Sequence, residues 1–98
     1  MPDIVTNEQG GNWTACNIRL DLVPPRALLR VGREMAEGLP AHGLDNWRKF
    51  TSRELLDRAL KHGYKHLAGC ADKQHLVNMA CRSLMALEQY LVEQGTKP

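Results

Sequence analysis

The sequence predicts an all-α protein, a small bundle of three main helices completed by oligomerisation and preceded by an extended N-terminal arm. Three observations carry this. Apolar residues recur at three- and four-residue spacing through three separate stretches, each bracketed by helix-starting and helix-stopping residues. The aromatic residues are five (Trp13, Trp47, Phe50, Tyr64 and Tyr90), so the core must be built from Leu, Val, Met and Ala, which suits helix packing. An apolar share of 43% argues against wholesale disorder, yet 98 residues bury only a modest core. A homodimer or higher homo-oligomer is therefore expected.

Residues 1–18 carry Pro2, Asn7, Gly10, Gly11 and Asn12 without periodicity and read as the arm; a helical domain over 19–94 and a tail over 95–98 follow. The first helix should start at Pro25, because proline at the first helical position gives up an N–H that has no partner there. Ala27, Leu28, Val31 and Met35 supply its apolar stripe, Gly32 weakens it slightly, and Gly38 and Pro40 are expected to end it. Residues 39–50 read as a loop. Thr51-Ser52-Arg53-Glu54 matches a capping box and opens the second helix. Its buried stripe should be Leu56, Ala59, Leu60, Gly63 and Leu67, with Gly69 at its end. Asp72 should cap a third helix reaching about Gln94, where Val77, Ala80, Leu84, Leu87 and Leu91 form a seam suited to bundle packing and Gly95 closes the run.

Charge and cysteine usage exclude several classes. A net charge of +2, from 13 basic and 11 acidic residues, is too mild to argue for a nucleic-acid partner. Cys16, Cys70 and Cys81 form no Cys-x-x-Cys pair and leave an odd one out, so a reducing cytoplasm is expected rather than a disulfide framework. No signal peptide and no apolar run approaching the roughly 20 residues of a membrane span is present, so no membrane partner is expected.

Chemistry-bearing residues gather on two helices. Arg58, Lys61, His62 and Lys65 share one face of the second helix; they suit either a phosphate-binding cluster or a solvated basic surface with Glu54–Arg58 and Asp57–Lys61 pairs. His62 and His66 stand four apart, but the intervening Gly63-Tyr64-Lys65 adds a positive charge and no acid, so zinc is not assigned there. On the third helix His75, Asn78, Arg82 and Gln89 occupy one sector, either a ligand-facing or a solvent face. Trp47 suits a stacking platform for a purine or a loop anchor, and Asn46 suits base reading or turn capping.

The phrases Arg19-Leu20-Asp21-Leu22-Val23-Pro24-Pro25 and Asp45-Asn46-Trp47-Arg48-Lys49, followed by Lys61-His62, Gly69 and His75-Leu76, resemble the N-terminal dATP/dGTP diphosphohydrolase family of bacteriophages, over roughly residues 19–92. That family is allied to the all-α MazG-type nucleotide pyrophosphohydrolases. The resemblance implies a purine nucleotide ligand, with Lys61 and His62 as catalytic groups and Arg19, Asn46, Trp47 and His75 as substrate-binding groups; Asn78 and Arg82, on the polar sector of the third helix, join the substrate-binding set as residues able to pair with a ligand. Asp21 suits accepting from the Asn46-Trp47 backbone or from a ribose hydroxyl, and the first is expected because a Pro-Pro opening fixes an entry path. MazG-type enzymes place Mg²⁺ on two carboxylate pairs of the form ExxE and ExxD, since this ion takes hard oxygen ligands. Glu34-x-x-Glu37, sixteen residues, then Glu54-x-x-Asp57 repeats that form here.

The chain departs from the family where acids are expected. The stretch Gly69-Cys70-Ala71-Asp72-Lys73-Gln74 holds one acid and one base, and Asn78 and Arg82 stand where typical members carry a histidine and an asparagine. Two functions follow. In one, the protein is a Mg²⁺-dependent (d)NTP pyrophosphohydrolase, converting dATP or dGTP to the monophosphate plus pyrophosphate. In the other, a catalytically degenerate relative sequesters nucleotides or cyclic nucleotide signals in a host cytoplasm, blunting a defence that signals with them. A scaffold protein whose polar faces do not converge is the third possibility.

Overall fold

The computed structural model describes residues 3–72 and 74–96; Pro2 of the expected arm and Lys97-Pro98 of the expected tail lie outside them. The arm is a β-hairpin: β1 (Ile4–Thr6) pairs antiparallel with β2 (Asn12–Thr14) in the register Ile4–Thr14, Val5–Trp13 and Thr6–Asn12. Its turn is closed by the Asn7 side chain, whose Oδ1 accepts from the Gln9 and Gly11 N–H groups. A 3-10 turn at Leu20–Leu22 then leads into three helices among the described residues, α1 (Pro25–His42), α2 (Ser52–Leu67) and α3 (His75–Glu93).

The helix starts follow the sequence signals. Pro25 opens α1. Thr51 opens α2 with the full capping box: its Oγ1 accepts from the Glu54 N–H at 3.2 Å, and Glu54 Oε1 accepts from the Thr51 N–H at 3.0 Å. Asp72 accepts from the Gln74 N–H at 2.9 Å, so it fastens the turn before α3, while Gln74 is the cap itself. One stop differs. Gly38 and Pro40 do not end α1, which runs on to His42 and closes at Gly43. Pro40 sits in the last turn, where the helix forgoes its N–H bond; the Gly43 N–H still reaches Leu39 O at 2.9 Å, and Gly43 takes the left-handed φ of 81° that glycine tolerates.

α2 and α3 form an antiparallel hairpin, since Ser52 meets Glu93 at one end and His62 meets His75 at the other. Gly63 permits the close approach: a Cβ there would stand 2.9 Å from Met79 Sδ. The core is Val31, Leu55, Cys81, Met85 and Ala86, with Met35, Trp47, Phe50, Val77 and Ala80 packed on it.

The buried stripes are rotated from the expected ones. On α2 the inward row is Leu55 and Ala59, with Leu55 only 1% exposed, whereas Leu56 and Leu60 remain 45% and 47% exposed. On α3, Cys81, Met85 and Ala86 are buried and Leu84 and Leu87 face outward. α2 carries leucine on two adjoining faces, so periodicity alone does not choose between them; α3 packs on only one. The other is left as a broad apolar surface. The chain exposes 8201 Å², against about 5,600 Å² expected for a folded monomer of 11.0 kDa.

Candidate functional site

The second half of α1, the 3-10 turn Asn46–Lys49 and the inner faces of α2 and α3 enclose a cleft of about 610 Å³, a size that suits a small organic ligand. Its floor is apolar, from Met35, Phe50, Leu55, Cys81 and Met85. Its walls are polar and of both signs: Glu34, Glu37 and His42 from α1, Asn46 and Trp47 from the turn, Arg58 from α2, and Asn78 and Arg82 from α3.

Local bonding fixes these walls. Asp45 takes the left-handed region at φ 58°, which a short polar side chain tolerates, and turns the chain into Asn46 and Trp47. Gln89 of α3 then holds the turn, its amide donating to the Arg48 and Phe50 carbonyls at 2.9 Å each. Trp47 is half-buried and packs against the core, with the Arg48 guanidinium 4.3 Å over its ring. It thus anchors the loop and also borders the cleft.

The two cleft arginines differ from four of the other six. Arg19, Arg30, Arg33 and Arg48 pair with Asp21, Glu34, Glu37 and Asp45. Arg58 lies 4.7 Å over the Phe50 ring, and Arg82, half-buried, reaches only Met85 Sδ at 3.5 Å; neither has a carboxylate partner among the described residues. Two guanidiniums from different helices, facing one cleft and not held in an ion pair among the described residues, can grip an anion. Near this wall burial lowers the His62 pKa, as do the neighbouring His75, Arg82 and Lys65 charges, with Asp72 opposing. Burial and the Glu34 carboxylate together raise the Cys81 thiol.

Of the sequence-derived site residues, the fold brings Glu34, Glu37, Asn46, Trp47, Asn78 and Arg82 to the cleft. Arg19 does not line it: its guanidinium pairs with Asp21 at 2.8 and 2.6 Å on the exposed segment before α1. Asp21 therefore accepts from Arg19 and not from the Asn46-Trp47 backbone, because a side chain two residues away is nearer than any loop amide; that guanidinium also lowers its pKa. Lys61 is on the exposed side of α2, held by Asp57 at 2.9 Å. His62 and His75 face each other between α2 and α3, outside the cleft lining.

The four carboxylates expected for Mg²⁺ are split. Glu34 and Glu37 border the cleft, but Glu54 caps α2, where the Thr51 backbone and hydroxyl bonds hold its pKa below the usual range, and Asp57 is paired with Lys61. Among the described residues no three His, Cys, Asp or Glu side chains converge as a metal site. The set does not fit one ion within a single chain. Three acidic or basic cleft residues escaped the sequence-derived site: His42, which reaches the wall only because α1 continues past Pro40, Asp45 at the start of the turn, and Arg58, for which spacing favoured a surface pairing with Glu54.

A mostly helical scaffold whose cleft is lined by two arginines, amide side chains and an aromatic wall defines a small protein with a polar, aromatic-edged pocket. Sequence comparison gives that class a family. Residues 7–97 match dATP/dGTP diphosphohydrolase, N-terminal, and the chain belongs to that family, whose description names purine deoxynucleoside triphosphates. Among curated proteins and solved structures, none matches the chain. No helix among the described residues is long and apolar enough to cross a membrane.

Proposed function

We propose that this protein binds a purine nucleotide in the cleft between α1 and α3 and holds it intact. The observation that carries the reading is the convergence of Arg58 and Arg82 on one cleft, beside Trp47, without carboxylate partners among the described residues. In this reading the two guanidiniums grip phosphate, the apolar floor and Trp47 accept the base, and the Asn46 and Asn78 amides choose its edge. A cyclic nucleotide offers the same groups as a linear one. Retention is placed first because Glu54 and Asp57 are engaged away from the cleft, leaving one carboxylate pair where the Mg²⁺ chemistry of related hydrolases uses two.

Hydrolysis of dATP or dGTP to the monophosphate and pyrophosphate is the second reading. Glu34 and Glu37 on the wall of that same cleft favour it, as does the family description. The exposed leucines of α2 and α3 support self-association in either case. Incubation with dNTPs and cyclic dinucleotides, with and without Mg²⁺, separates the readings by chromatography. Retention requires nucleotide to leave solution with the protein and return whole on denaturation. Monophosphate released only with Mg²⁺, and lost in Glu37→Gln, replaces it with hydrolysis. Nucleotides that stay free and whole defeat both.

A further inference from the structure

Outside the cleft, three side chains form a chain of contacts that the nucleotide reading does not use. The Cys70 sulfur lies 3.2 Å from His75 Nε2, and His75 Nδ1 lies 2.9 Å from His62 Nδ1. Cys70 is exposed, His75 is only 6% exposed, and His62 is partly buried. The two His75 nitrogens point to opposite neighbours, so the trio is arranged in series and not around a common centre.

The backbone builds this series. Gly69 takes a left-handed φ of 81° after α2, with its N–H on His66 O and the Cys70 N–H on Lys65 O, both at 3.1 Å. This is the glycine-terminated helix end in which the following residue folds back over the last turn. The fold-back sets the sulfur beside the first residue of α3. His62, two turns back on α2, supplies the third member from the opposite side of His75. A nucleophile, a buried base and a group that orients the base is the arrangement that activates thiols in unrelated proteins.

We propose that Cys70 is a base-assisted nucleophilic thiol, a modification site for small electrophiles of the hydroperoxide and alkylating classes. The sulfur passes its proton to His75 Nε2, while the His75 Nδ1 proton is held by His62 Nδ1. The thiolate then attacks. With a hydroperoxide, an S–O bond forms and the O–O bond breaks; the departing alkoxide or hydroxide takes the proton from His75, leaving a sulfenic acid and an alcohol or water. With iodoacetamide, an S–C bond forms, the C–I bond breaks and iodide leaves. Burial first, then the charges of His75, Arg82 and Lys65, disfavour a proton on His62, with Asp72 opposing. His62 is thereby kept as an acceptor for the His75 proton.

The other two cysteines are internal standards. Cys16 is exposed but meets only the Ile18 N–H, and Cys81 is buried. The test is site-resolved alkylation of the full chain by iodoacetamide at pH 7, followed by peptide mass mapping, with hydrogen peroxide and a sulfenate trap as a second arm. Cys70 is expected to react at least roughly threefold faster than Cys16 and to be the first cysteine trapped as sulfenate. His75→Asn should bring Cys70 down to the Cys16 rate. Labelling of Cys81 reports any unfolding in that variant, in which case His62→Gln decides by slowing Cys70 while Cys81 stays protected. Equal rates at Cys70 and Cys16 in the unaltered chain overturn the proposal, as does a Cys70 rate that neither substitution changes.

Discussion

Arg82→Ala separates ligand gripping from folding. Its guanidinium makes one weak contact, to Met85 Sδ at 3.5 Å, so little of the folded structure depends on it. A half-buried charged donor to phosphate contributes about 1.5–3 kcal/mol, which corresponds to an affinity loss of about 10- to 150-fold. Arg58 is exposed and more screened, so Arg58→Ala should cost less, roughly several-fold. Isothermal titration with dATP, dGTP and a cyclic dinucleotide reads the first quantity. Thermal unfolding reads the second, and the midpoint should move by no more than about 4 °C. The same variant removes a cation that disfavours protonated His62, so the His62 pKa should rise in an NMR titration. If Arg82→Ala binds every nucleotide within twofold of the unaltered chain while staying folded, the phosphate role is wrong and the cleft loses its principal argument.

Further consequences concern the scaffold. Gly63→Leu should destabilise the protein by about 1–3 kcal/mol in urea unfolding, because even a Cβ would press to 2.9 Å from Met79 Sδ. Thr51→Ala should cost about 1 kcal/mol by the same measurement, as it removes the α2 cap. Stability should fall in two acid windows. His62 has a lowered pKa in the fold, so its contribution is present above the ordinary value of 6.5 and is lost as pH falls through the folded value; Glu54, also lowered, follows the same sign below 4.5. Thr51→Ala should make the second window shallower and leave the first unchanged, since Glu93, lowered by its Ser52 bonds, and Asp21, lowered by Arg19, still titrate there. Leu56→Ser with Leu87→Ser targets residues 45% and 54% exposed, so it should lower the mass seen by light scattering without lowering helix content; an unchanged mass would argue that this face is not a pairing surface.

Much of the scaffold was legible because its signals are local. Pro25, the Thr51–Glu54 box and the glycines at 69 and 95 act through a few neighbouring backbone groups, and each shapes an element boundary; Gly43, expected within a loop, ends α1 in place of Gly38 and Pro40. The facing of α2 was not legible. Leu55, Leu56, Ala59 and Leu60 satisfy two helical stripes equally well, and the packing of α3 selects one.

Within the site, Glu34, Asn46, Trp47, Asn78 and Arg82 were readable as candidates, yet their convergence depends on how α1 crosses α3. Arg19, Lys61 and His62 share motifs with the cleft residues but not a location, since each has a nearer partner than the cleft. The Cys70–His75 contact spans five residues across a turn and follows no helical or strand period, so no sequence pattern points to it.

The most direct test of nucleotide binding at the cleft is a ¹H–¹⁵N NMR titration of the full chain with dATP and with a cyclic dinucleotide. Shifts gathered on the Trp47 indole, the Asn46 and Asn78 amides and the backbone around Arg82 are the expected result. Shifts confined to Lys61 and Lys65 on the outer face of α2, or an unchanged spectrum with every nucleotide, would contradict the assignment of this cleft.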